Sequence, residues 1–365
     1  MKKTKNDSSQ LQFLRFLAFM LIFFFHTGDY QLAWFPKENG AANAVEFFIL
    51  LSGVVSGISS FDKEIKCKAR DIVSYMKKKI IKVYPLYFVT TLFTVTYTTI
   101  PSIIAYHDFY TFEQIKILLG QIGQLIKNLL LIQSWFPSNY FSYNGVGWFL
   151  STIMFLYLVN IPLRALATKI KKTKKPEIIF AIVFVSAYVF IWIYCYFTRS
   201  TNMEFTQYVF PVSKVPEYIC GMALGYLICY IKRRIVAKSS TTVIFTVLEI
   251  LSLGLWIYNM YTPMEGWHFR IIHWVTMNIF LIFVFSIGQG VISSLFRLSI
   301  LRYLGDISFE CFLLHQIVIH LYKTLSGIEA VSVLGNVFSM SFCLMFTVLV
   351  ASIISGCKIK KRKLQ

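Results

Sequence analysis

A chain of 365 residues that is 56% hydrophobic, with 35 Phe, 21 Tyr and a mean hydropathy of +0.62, is too apolar for an ordinary soluble domain. Its formal charge of +19 would suit a nucleic-acid binder, but the cations fall in short stretches between apolar runs of about twenty residues, the pattern of a polytopic membrane protein. The charge therefore reports topology and contact with anionic lipid, which argues against nucleic acid as a partner.

The first apolar run, LRFLAFMLIFFFH, continues without a small-residue cleavage site and is expected to stay as a span. Arg15 and His26 lie eleven residues apart on it. At 100° per residue they return to within about 20° of one stripe, separated by roughly 16 Å along the axis. Ionisable groups at membrane depth are costly and mark functional sites by default, although Arg15 alone could snorkel inward and His26 outward.

The second run, AVEFFILLSG, opens with Glu46, which a short outer loop would return to the depth of His26. A carboxylate there could hold the tautomer of the imidazole and stabilise its cation, or could simply complement the helix dipole. Ser52 and Gly53 follow as a small-residue contact for a close helix pair. In MKKKIIKVYPLY, Lys79 and Lys82 share a face at the entrance to the third span, where paired cations anchor the helix or meet phosphates. In residues 113–135 polar side chains interrupt the apolar pattern, which fits an amphipathic helix lying on or dipping into the outer face better than a span. Trp148 opens the next run, GWFLSTIMFLYL. Near the C-terminus, LGDISFECFLLHQ sets Asp306, Glu310 and His315 on one expected helix, which suggests a polar, water-filled interior.

The runs place spans near 11–30, 44–61, 83–104, 146–163, 178–197, 214–231, 241–261, 268–289, 303–325 and 333–356, about ten transmembrane helices in an all-α integral membrane protein. With the N-terminus inside, roughly 28 of the 36 Lys and Arg become cytosolic, so both termini are expected in the cytosol. Residues 1–365 read as one domain with basic tails at about 1–10 and 357–365. The seven cysteines form no CxxC and the six histidines no HExxH, so neither a disulfide framework nor a metal site is indicated. P-loop and GxGxxG patterns are missing as well, which argues against nucleotide hydrolysis.

A two-substrate reading connects these groups. A phosphate-bearing donor would bind Arg15, Lys79 and Lys82 at the cytosolic rim, and an extended pantetheine arm is long enough to carry an acyl thioester along the stripe to His26.

The segments LRFLAFMLIFFFH, VEFFILLSGVVSG, KKKIIKVYPLYF, GWFLSTIMFLYL and LGDISFECFLLHQ, in this order over nearly the whole chain, resemble membrane acyltransferase family 3. The resemblance implies ten core helices and an O-acyltransferase of the plasma membrane that moves an acetyl or related group from acyl-CoA to a hydroxyl, commonly on a cell-surface polysaccharide or its lipid-linked precursor. It gives His26 the essential imidazole and puts Arg15 and the basic pair on the donor side. Lys79 and Lys82 stand where the family often has Arg, and Ile153 stands where many members have Glu, which points to the shorter members that resemble capsule and exopolysaccharide modifiers. The expected chemistry therefore uses His26 as base or acyl carrier, Glu46 to orient it, and Arg15, Lys79 and Lys82 for the coenzyme phosphates. Ser52, Trp148, Asp306, Glu310 and His315 would line the acceptor path. The donor acetyl-CoA is a substrate with no tightly bound cofactor beside it, and the expected partners are membrane lipids, the saccharide acceptor and polysaccharide-assembly proteins. A transporter or flippase of a lipid-linked saccharide is the competing reading, since buried His and Glu also suit proton coupling.

Overall fold

The computed structural model describes residues 8–28, 38–100, 111–235, 239–261, 267–327 and 332–363, and among these the secondary structure is helical with no strand. Seven helices are long and apolar enough to cross a membrane, or eight if the bent pair Ser299–Asp306 and Ser308–Ser326 counts as one span. Each of the ten expected stretches overlaps helix among the described residues, while residues 29–30 and 101–104 of two of them lie outside the described residues. Gln10–His26, however, is a shorter apolar helix, and Val215–Arg234 is not among the seven. Phe112–Leu129 is not among them either.

The first helix, α1 (Gln10–His26), buries Leu11, Leu14, Ala18, Phe19, Ile22 and Phe23 at three- and four-residue spacing. It stops where Thr27 turns its hydroxyl back to the Phe24 carbonyl at 2.6 Å and Gly28 takes a φ of +54°. The next helices are α2 (Glu38–Ser60), α3 (Ala69–Thr94), α4 (Phe112–Leu129), α5 (Gly147–Lys171), α6 (Pro176–Phe197) and α7 (Val215–Arg234).

Glycines bring α2 and α7 together. A Cβ added at Gly53 or Gly57 would overlap the carbonyl oxygen of Tyr218 or Met222, and one at Gly221 or Gly225 would overlap that of Leu50 or Val54. Two small-xxx-small ridges thus interlock with the backbones nearly in contact, the arrangement that favours dense helix packing where lipid offers no hydrophobic drive. The expected contact at Gly53 is half of this joint.

The amphipathic α4 is turned with its polar side inward. Gln124 and Asn128 are buried while Ile115, Leu119, Ile122 and Ile126 are exposed. Asn128 and Leu129 accept hydrogen bonds from the hydroxyls of Tyr87 and Tyr84, both at 2.9 Å, which ties α4 to α3.

The C-terminal part holds α8 (Ser239–Tyr261), α9 (Trp267–Ile287), α10 (Val291–Phe296), α11 (Ser299–Asp306), α12 (Ser308–Ser326) and α13 (Val333–Lys363). The expectation of one helix bearing Asp306, Glu310 and His315 is corrected here, because α11 and α12 meet at a 61° bend. Asp306 ends α11 and is exposed, whereas Glu310 and His315 lie buried on α12. Close packing accompanies the bend: a Cβ at Gly305 would overlap the Gln12 backbone, so α11 lies directly on α1, and α12 continues along it toward His26.

Candidate functional site

The two histidines meet across α1 and α12. His315 Nε2 is 3.2 Å from His26 Nδ1, with the rings 5.0 Å apart and inclined by 62°. Each ring also places its Nδ1 at 2.8 Å from a carbonyl of its own helix, Ile22 for His26 and Phe312 for His315. A carbonyl oxygen only accepts, so both Nδ1 atoms carry the proton in this arrangement. The Nδ1–H of His26 then also serves the lone pair of His315 Nε2, and His26 Nε2 is left with a free lone pair. His315 is fully buried and packs edge-on against Phe19. His26 is only half-buried.

His26 opens onto a cavity of about 530 Å³, within the range of small-molecule sites. Its walls include Trp148, Tyr208, Glu204, Phe149 and Gln316. Trp148 and Tyr208 pack ring on ring at 4.9 Å, and Glu204 accepts a hydrogen bond from the Tyr140 hydroxyl at 3.0 Å. Burial and the charge of Glu204 push the Tyr140 hydroxyl well above its usual range, so it keeps the proton that it donates. Tyr143 forms another part of the wall with a φ of +60° and gives its hydroxyl to Gln121 at 2.7 Å. A bulky residue in the left-handed region costs about 1–3 kcal/mol, and such strain gathers at ligand sites.

Glu46 is not a neighbour of His26. Because α2 begins at Glu38, Glu46 sits two turns into the helix instead of opening it, about 12 Å along the axis. Ala41, Ala42 and Val45 face the cavity, and the next residue, one 100° step around, points away from it. There Glu46 meets Lys214 at 2.6 Å, and Lys214 also meets Glu217 at 2.9 Å, all three buried. The side chain that meets the His26 imidazole is His315, and not the carboxylate expected at Glu46.

The cationic residues gather near the other end of α1. Lys79 Nζ stands 4.1 Å from the centre of the Tyr157 ring and 5.2 Å from that of Tyr75. The charges of Lys82, Arg164 and Arg15 all act on it, and those of Asp306 and Glu310 act on Arg15. Arg15 donates to Gln12 at 3.0 Å, and Lys82 is exposed. Arg164 is spoken for by the Ser56 hydroxyl at 3.0 Å, the Ser56 carbonyl at 3.2 Å and the Ser59 hydroxyl.

Of the remaining expected residues, Trp148 lines the cavity. Ser52, Asp306, Glu310 and His315 are not among its walls, and the Ser52 hydroxyl returns to the Phe48 carbonyl at 2.8 Å. Glu204, Tyr208 and Gln316 were not foreseen in the cavity, nor Lys214 and Glu217 around Glu46. Gln316 directly follows His315 in the LLHQ motif and could have been suspected; Glu204 is a lone acid in a short aromatic connection and gives no periodic signal.

The family model described as an acyltransferase domain matches residues 9–356, nearly the whole chain. No curated protein and no solved structure gives a match.

Proposed function

Because the chain belongs to membrane acyltransferase family 3, we propose that it moves an acetyl or related short acyl group from cytosolic acyl-CoA to a hydroxyl of a cell-surface polysaccharide or its lipid-linked precursor. The enzyme would sit in the plasma membrane with both termini cytosolic, the orientation that the basic loops favour.

The observation that carries this reading is His26 on a cavity wall with its Nδ1 engaged by the Ile22 carbonyl and by His315, which leaves Nε2 as the nitrogen for an acceptor hydroxyl. In the proposed step the acceptor hydroxyl donates to Nε2 and its oxygen attacks the thioester carbonyl carbon. The C–S bond breaks, and the departing thiolate takes the proton from the imidazolium. Arg15, Lys79 and Lys82 would meet the coenzyme phosphates at the far end of α1.

Acetyl-CoA labelled in the acetyl group, incubated with the purified protein and a lipid-linked glycan extract, tests the reaction. Label is expected to move to the glycan with release of one thiol per transfer, and base treatment should free it as acetate. Glycan movement across a bilayer with no acyl-CoA consumed would favour the flippase reading instead.

A further inference from the structure

The cavity beside His26 carries a charge of its own. Among the described residues of its wall, Glu204 is the carboxylate and His26 the imidazole, and no Lys or Arg is present. Glu204 belongs to a short π-helical turn, Glu204–Val209, that also supplies Tyr208 to the wall. Its Oε2 takes the Tyr140 hydroxyl, which is one of about four lone-pair sites on a carboxylate, so acceptor capacity remains for a ligand. Tyr140 is itself buried against Phe141, with ring centres 4.5 Å apart, and this fixes the carboxylate in place. Phe25 and Phe141, both exposed, put apolar ring surface on the same wall, and the Gln316 amide offers both a donor and an acceptor.

An anchored carboxylate accepts hydrogen bonds from hydroxyls and repels a second carboxylate, strongly so where water is scarce. The aromatic faces suit the C–H faces of a sugar ring. We propose that Glu204 is a specificity-determining residue of the acceptor subsite, selecting a neutral saccharide by accepting from its hydroxyls and excluding sugars that bear a carboxylate. The proposal rests on the acceptor being a saccharide, as in the function proposed above, and adds the class of saccharide and the residue that chooses it.

Equilibrium binding tests it without relying on turnover. The purified full-length protein is titrated with the methyl glycosides of glucose, galactose and mannose, each paired with its uronic acid, and tryptophan fluorescence is followed. At least one neutral glycoside should bind about tenfold or more tightly than its uronic acid. In Glu204→Gln, which keeps shape and acceptor oxygen but removes the charge, that ratio should fall toward one, chiefly through tighter binding of the uronic acid. Tyr140→Phe, which keeps the charge but loosens its anchor, should reduce the preference less than Glu204→Gln does. Equal or tighter binding of the uronic acids by the wild-type protein would overturn the assignment, as would an unchanged ratio in Glu204→Gln. So would a ratio lost equally in Tyr140→Phe, which would trace the preference to the fold of the turn. Failure of every sugar to bind would also overturn it, and acetyl-CoA consumption measured separately on the same sample shows whether the acyltransferase reading survives.

Discussion

At the scale of single residues, two carbonyl oxygens set the state of the histidine pair. Ile22 and Phe312 can only accept, so both rings are protonated at Nδ1, and the lone pair of His26 Nε2 remains for a substrate proton. If that lone pair is the base, His26→Ala should lower transfer by about 10²- to 10⁴-fold while insertion is unaffected. In that reading His315 would act through His26, as a positioning residue. Replacing His315 with Leu removes one hydrogen bond of about 0.5–1.5 kcal/mol and should lower kcat roughly two- to tenfold at unchanged KM for acyl-CoA. His315→Gln, whose amide oxygen can accept from Nδ1–H, should recover most of the loss. An equal loss in both variants, or a change confined to KM, would contradict that role. At the other end of α1, charge reversal at Lys79 and Lys82 should weaken binding of coenzyme A far more than that of an acyl pantetheine without phosphates, as read by calorimetric titration. Equal weakening of both would point to a folding defect.

At the scale of elements, the joint between α2 and α7 is made by backbone, and its test is volume. Gly221→Leu or Gly225→Leu must part the helices and should destabilise the protein by about 1–3 kcal/mol. Gly254→Ala, where an added Cβ meets nothing within 4 Å, should be neutral or slightly stabilising. Thermal unfolding in detergent measures both. Helix identity and the Gly53 contact were legible in the sequence because apolar runs of membrane length and small-residue spacing are local signals. The pairing of His26 with His315 was not legible, since it joins residues 289 apart through the packing of α1 on α12. The misplacement of Glu46 has a similar origin. Its apolar run gives no sign that α2 extends back to Glu38, and one further step around the helix turns the carboxylate from the cavity to Lys214. Glu204 comes from a π-helical turn with no periodicity that could announce it.

At the scale of the whole molecule, the buried group of Glu46, Lys214 and Glu217 bolts α2 to the connection before α7 and to α7 itself. That connection also carries Tyr208 and Glu204 into the cavity wall, so the ions hold the site as well as the fold. Removing the cation alone leaves two buried carboxylates, and Lys214→Met should cost about 3–5 kcal/mol, whereas the triple change to Lys214→Met, Glu46→Leu and Glu217→Leu should cost less than the single one. Thermal unfolding distinguishes the two, and a triple variant less stable than Lys214→Met would contradict it.

Under the proposed function, the cations near one end of α1 and the histidine at the other would bring donor and acceptor from opposite faces of the membrane. Sealed proteoliposomes of known orientation, loaded with glycan acceptor on the outer face and given acetyl-labelled coenzyme A on the cytosolic face alone, examine this directly. Wild-type protein should label the acceptor while the coenzyme stays on the side where it was added, and His26→Ala should not label it. Labelling by His26→Ala at the wild-type rate, or no acyl-CoA consumption in either orientation, would contradict acyl transfer through His26.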